Sequence, residues 1–125
     1  MPDSKKMTAA IHAYVEGFSN RDSGSIAALY AVDASVEDPI GSPLKHGREA
    51  ILEFYTEAVM TGAQLTLQGP IRVGGNFAAF AFSVNLTFGG VHQRIDVIDT
   101  FCFNEANEIT EMRAFWGPEN MHGFQ

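Results

Sequence analysis

Apolar residues in the first half of the chain recur with a helical period. Ile11, Tyr14, Val15 and Phe18 fall at i, i+3, i+4 and i+7, which predicts a helix over 8–20 with Thr8 as its candidate N-cap. A shorter helix over 25–31 turns Ile26, Leu29 and Tyr30 inward. A third over 47–60 carries Ile51, Leu52, Phe54, Tyr55, Ala58 and Val59 and is ended by Gly62. Between the last two, 35–43 reads as a short extended piece running into a proline- and glycine-rich loop. After Gly62 the period becomes two. Phe80, Phe82, Val84, Leu86 and Phe88 share one side of a strand, and Gly89-Gly90 is a natural hairpin turn. The return strand, about 92–103, alternates again; 104–107 is a polar turn and 109–116 a last strand. Helices first and antiparallel hairpins later predict an α+β domain, a curved sheet with helices on one face.

Strict alternation puts Ile95, Val97, Asp99, Phe101 and Phe103 on one face of the return strand. Asp99 therefore stands in the middle of an apolar stripe, and no Lys or Arg shares that face nearby, since Arg94 has the parity of Asp96. An ionised carboxylate is strongly penalised there. Either it is neutral and free to donate a hydrogen bond, or it is held by buried backbone or water for structural reasons. A second acid, Asp38, lies two residues beyond Val36 and projects to the same side. Pro39 disfavours the α region at Asp38 and keeps the chain extended. That places Asp38 at the end of an inward-facing strand, as a catalytic group or as an acidic turn residue. Glu37 points to the other side. The only tyrosines, Tyr14, Tyr30 and Tyr55, each fall on the apolar face of a different predicted helix. Each is either a core residue with a satisfied hydroxyl or one of three phenols that bond each other.

Composition narrows the classes. The chain has 125 residues, room for one domain (1–125), with 46% apolar and 18% charged residues. The net charge of −7, without a basic cluster, argues against nucleic acid and anionic membranes as partners. No apolar run approaches the roughly 20 residues that span a bilayer. The start of the chain, 1–6, carries no visible secretory signal. The single Cys102 forms no internal disulfide, which fits a reducing cytoplasm, and reads as filler on the outer face of the sheet. The four histidines are too widely spaced to pair as metal ligands, so no metal site is expected. There is no G-x-S-x-G, P-loop or dinucleotide fingerprint. The sequon Asn85-Leu86-Thr87 sits inside a strand and reads as chance.

The run Val36-Glu37-Asp38-Pro39-Ile40-Gly41, with His46-Gly47-Arg48-Glu49-Ala50-Ile51 and Phe54-Tyr55, resembles the bacterial Δ5-3-ketosteroid isomerases. So do Tyr14, the strand Asp96-Val97-Ile98-Asp99 and the ending Met112-Arg113-Ala114-Phe115-Trp116. The similarity covers essentially the whole chain. It implies a conical α+β barrel of the nuclear transport factor 2 type, with a mostly antiparallel curved sheet and three helices enclosing a deep apolar pocket. It also implies a steroid substrate, no cofactor and a homodimer packed through the sheet. By the resemblance, Asp38 is the base that moves a proton from C4 to C6 of a 3-oxo-Δ5-steroid. Tyr14 and a protonated Asp99 donate to the 3-oxo group; this family is a known case of a carboxylic acid kept neutral for that purpose. Tyr55 supports Tyr14, and Tyr30 extends the chain. Phe82, Val84, Val97, Met112 and Trp116 match apolar pocket positions. Other enzymes of the same fold, namely polyketide cyclases, dehydratases and epoxide hydrolases, are the alternative. A dehydratase favours inward histidines and an epoxide hydrolase an Asp-Arg-Asp set, and neither pattern is seen. A non-catalytic domain binding a hydrophobic ligand does not need two inward aspartates and a phenol.

Overall fold

A computed structural model of the chain describes residues 1–124. Its centre is the hairpin foreseen from the alternation. Strands β5 (Phe77–Phe88) and β6 (Val91–Phe103) pair along their whole length, from Phe77 opposite Cys102 to Phe88 opposite Val91. Gly89 and Gly90 close the turn with φ of +59° and +80°. Two successive positive φ values are what a two-residue hairpin of this hand requires, and glycine adopts them without penalty.

The other strands build outward from this hairpin. They are β1 (Tyr30–Glu37), β2 (Lys45–His46), β3 (Gln64–Leu67), β4 (Arg72–Gly74), β7 (Ile109–Phe115) and β8 (Met121–His122). The sheet runs β2-β1-β7-β6-β5-β3, with β4 attached to β5 and β8 to β6. Among the described residues only β1 and β7 pair in parallel; the other pairings are antiparallel. Helices α1 (Ser4–Ser19), α2 (Ser23–Ala27) and α3 (Arg48–Met60) contribute Met7, Ile11, Ile26 and Ile51 to the core, all completely buried. Burying such a side chain contributes about 1.5–3 kcal/mol.

Local chemistry sets the helix ends, and here the sequence reading is corrected twice. Helix α1 starts before Thr8. Asp3 is its N-cap, and one side-chain oxygen accepts from the Lys5 and Lys6 amides, which adds a turn and buries Met7. Helix α2 is capped by Asp22 and ends at Ala27, so Tyr30 does not lie on a helix. It opens β1 opposite Ile109, and the Ile109 amide donates to the Leu29 carbonyl at 3.0 Å. Gly17 allows α1 to approach α2, since a Cβ there would collide with the Ile26 side chain.

Candidate functional site

Every inward position that alternation assigned to β6 from Val97 onward is buried: Val97, Asp99, Phe101 and Phe103, while Ile98 is about half exposed. Helices and the concave face of the sheet enclose a cavity of about 340 Å³ with a predominantly apolar wall. That is within the usual range for a small-molecule site. Tyr14, Phe18 and Tyr55 line it from the helices, Phe82, Val84, Ile95 and Val97 from the hairpin, and Asp38 and Trp116 from the ends of two strands. Tyr14 is also packed edge-on against Phe101, with ring centroids 5.2 Å apart, and against Tyr55 at 5.8 Å. Such pairs contribute about 0.5–1.5 kcal/mol beyond burial and fix the ring's direction.

The three phenols form a directed chain. Tyr55 donates to the Tyr14 hydroxyl at 3.4 Å, and the Tyr30 and Tyr55 hydroxyls are 2.5 Å apart. Each phenol has one proton, so with Tyr55's proton given to Tyr14, Tyr30 is the donor to Tyr55. The Tyr14 proton is left free to point into the cavity. Burial is the main cause that pushes all three phenols well above the ordinary tyrosine value; for Tyr14 the neighbouring Asp99 adds to it. All three remain protonated donors.

Asp99 is completely buried, flanked by Phe80 on β5 and Ala114 on β7. Neither carboxyl oxygen has a hydrogen-bond partner among the described residues. Burial above all, then the charge of Asp38, pushes its pKa well above the usual carboxylate value, while the Tyr14 hydroxyl pulls weakly the other way. Burial without a partner for either oxygen thus favours the neutral, protonated form of this acid. Val97, two residues earlier on the same face, is on the wall, and Asp99 lies one layer deeper.

Asp38 follows β1 directly, after the buried Val36, and its peptide bond to Pro39 is cis. The loop is pinned. The Ile40 amide donates to the Ala114 carbonyl at 2.9 Å, the Gly41 amide to Glu37 Oε2 at 2.9 Å, and the Ser42 hydroxyl to the Pro39 carbonyl at 2.6 Å. Glu37, set aside as pointing away, thus holds the turn that presents Asp38. The Trp116 indole donates to Asp38 Oδ1 at 2.8 Å, and Oδ2 has no partner among the described residues. Burial raises the Asp38 pKa; the Trp116 hydrogen bond and the charge of Lys45 oppose it. The result is a carboxylate more basic than usual at the edge of the cavity.

Asp38, Tyr14, Tyr55, Phe82, Val84, Val97 and Trp116 all stand on the cavity wall. Tyr30 stands behind Tyr55. Met112 does not reach the wall; it is completely buried between Val36 on β1 and Phe101 on β6. Trp116, expected as apolar lining, also has a polar role, and Phe18, Phe54, Leu65 and Phe124 are wall residues beyond those expected. Phe18 and Phe54 were legible from their helix faces; Leu65 and Phe124 lie in segments with no visible period. Among the described residues no group of three or more potential metal ligands occurs, and no helix is long and apolar enough to cross a membrane.

The SnoaL-like domain family model matches residues 11–112. A steroid Delta-isomerase from Nocardioides simplex is 38% identical over 119 residues, 94% of this chain and 95% of that protein. The solved structure of SalBIII superposes with a TM-score of 0.91 over 99% of this chain and 100% of its own, at 24% identity. SalBIII is described as an epoxide hydrolase/cyclase-like enzyme with a role in pyran ring formation in the polyether salinomycin, and at that identity the likeness is one of fold.

Proposed function

The chain belongs to the SnoaL-like domain family, and within it we propose that it is a steroid Δ-isomerase, converting 3-oxo-Δ5-steroids to 3-oxo-Δ4-steroids. The observation that carries this reading is a pair of opposites, Asp38 on the cavity wall and Asp99 one layer behind it beside Tyr14. One aspartate is partnered and able to ionise, and the other is buried, partnerless and neutral beside a phenol whose proton is free.

The reaction uses each feature. Asp38 removes the C4 proton, and the C4–H electron pair moves into a C3–C4 double bond as the 3-oxo group becomes an oxyanion. Tyr14 and Asp99 donate hydrogen bonds to that oxygen in a dry, preorganised site, which stabilises the dienolate. Asp38 then returns its proton to C6, the carbonyl re-forms, and the double bond ends between C4 and C5. One carboxylate serves both transfers because C4 and C6 lie on one side of a flat ring system. The apolar wall of Phe82, Val84, Val97 and Trp116 fits the ring faces, and the chemistry requires no cofactor or metal.

Assembly and location belong to the same reading. The convex face of the sheet presents Ile98 and Phe115 at nearly half exposure on neighbouring strands, which supports a homodimer built through that face. The unpaired Cys102 supports a cytoplasmic setting, and the net charge of −7 argues against nucleic acid and anionic membranes as partners.

The test is the ultraviolet rise of the conjugated enone when purified protein meets a 3-oxo-Δ5-steroid, with Asp38→Asn alongside. The wild type should convert it rapidly, and the variant should lose roughly 100–10,000-fold of kcat, the scale of a positioned acid–base group. Near-normal turnover by the variant would remove Asp38 as the base.

A further inference from the structure

The chain beyond β7 turns back to the turn end of the β5–β6 hairpin, and its Phe124 reaches the cavity wall. Met121 pairs with Ile95 and His122 with Arg94, so β8 lies along the start of β6. The His122 Nε2 is 3.1 Å from Asp96 Oδ2, and Arg94 Nε donates to the other oxygen of that carboxylate at 3.1 Å. Gly123 follows with φ of +85°, and a Cβ on it would strike the His92 carbonyl oxygen. No other residue permits so close an approach with that backbone. This turn delivers the Phe124 side chain to the cavity wall, in company with Leu86 and Ile95.

The position of Phe124 along the cavity follows from β6. The strand runs from Ile95 through Val97 to Asp99, four residues or about 13 Å at roughly 3.3 Å per residue. Asp99 and Tyr14 are at one end and Phe124 at the other. A steroid whose 3-oxo group meets Tyr14 and Asp99 extends its five-membered ring and C17 substituent toward Phe124.

We propose that residues 121–124 form a strap across the cavity mouth, in which Phe124 contacts the C17 end of the steroid and sets which substituents are accepted. The inference rests on the steroid reading above. The β8 pairing, the Asp96 latch and Gly123 are positioning features; Phe124 is the specificity residue. An aromatic wall at this end favours a compact, uncharged substituent and obstructs a long alkyl chain.

The experiment compares wild type, Phe124→Ala, Phe124→Leu and Gly123→Ala on two 3-oxo-Δ5-steroids, one with a 17-oxo group and one with a branched C8 alkyl chain at C17. Binding of the corresponding Δ4 products is read from the fluorescence of Trp116, the only tryptophan. Phe124→Ala should raise KM and Kd for the 17-oxo compounds several-fold, with kcat falling less than KM rises. It should also shift the kcat/KM ratio toward the long-chain substrate by about fivefold or more, since small apolar changes in such a wall typically give about 10–200-fold discrimination. Gly123→Ala should do the same with Phe124 intact, and Phe124→Leu should stay near wild type. Wild-type constants and ratio in Phe124→Ala would overturn the proposal, even if Gly123→Ala fails to fold. No turnover by the wild type would remove the isomerase reading and this inference together; turnover with an unaltered Phe124→Ala removes this inference alone.

Discussion

Replacing Asp99 by leucine should make the protein more stable and far less active at once. The carboxyl is completely buried with both oxygens unpaired. An unsatisfied buried polar group costs about 1–3 kcal/mol, which an apolar side chain of similar size does not incur. A second contribution depends on pH. Burial holds the folded-state pKa well above 3.8, so the folded chain keeps a proton that the unfolded chain releases. The stability linked to that proton is complete below 3.8 and is lost as pH rises toward the folded pKa. The loss is at most about 1.4 kcal/mol per pH unit. Leucine has no such dependence, so the Tm advantage of the variant should widen from pH 5 to pH 7. The widening is up to about 2.8 kcal/mol, or roughly 8–14 °C at about 3–5 °C per kcal/mol for a chain of this length. Asp99→Asn, which keeps the shape, should show the same widening and guards against overpacking by leucine. Melting curves at one protein concentration read the stability, and the enone assay reads kcat. In the leucine variant kcat should fall about 100–1,000-fold, the loss typical of one oxyanion donor. If wild type and Asp99→Asn melt in parallel between pH 5 and pH 7, Asp99 does not hold its proton and cannot be a donor.

Other consequences follow from the hydrogen bonds. Tyr14→Phe should lower kcat about 100–1,000-fold with a smaller change in KM, because it acts on the oxyanion. Tyr30→Phe, two links back in the phenol chain, should cost only about 2–12-fold, the equivalent of one modest hydrogen bond; equal losses for the two would contradict the directed chain. The acid limb of kcat/KM should lie above the ordinary carboxylate value of 3.8, because burial raises the Asp38 pKa and the base must be ionised. Trp116→Phe removes a hydrogen bond that favours the ionised form, so the limb should move to higher pH; an unmoved limb would mean that the indole does not tune Asp38.

The parts legible in the sequence are those governed by long, unbroken local patterns. The β5–β6 hairpin showed its period over more than twenty residues, and Asp99 was conspicuous as the exception within it. Asp38 was legible from Val36 before it and Pro39 after it. Strands β3, β4 and β8 have four, three and two residues, too few for a period of two to appear, and they exist because β5 and β6 offer edges to pair with. Tyr30 has helical spacing from Ile26, yet pairing with β7 draws it into a strand. The bond from Trp116 to Asp38 joins residues 78 apart in sequence, and no local pattern shows where an indole N–H will point. The strap is illegible for the same reason. Its glycine and phenylalanine acquire meaning only against His92 and the far wall of the cavity.

In the proposed mechanism one carboxylate carries one proton from C4 to C6 beneath a stabilised dienolate. This transfer is tested most directly with a 3-oxo-Δ5-steroid deuterated at C4, converted by the wild-type protein in ordinary water and examined by deuterium NMR. Asp38 on the cavity edge, held by Trp116 and partly shielded from solvent, predicts rapid formation of the Δ4 product with deuterium recovered at C6. Rapid product carrying only solvent hydrogen at C6 would contradict a single-base transfer, and absence of product would contradict the isomerase itself.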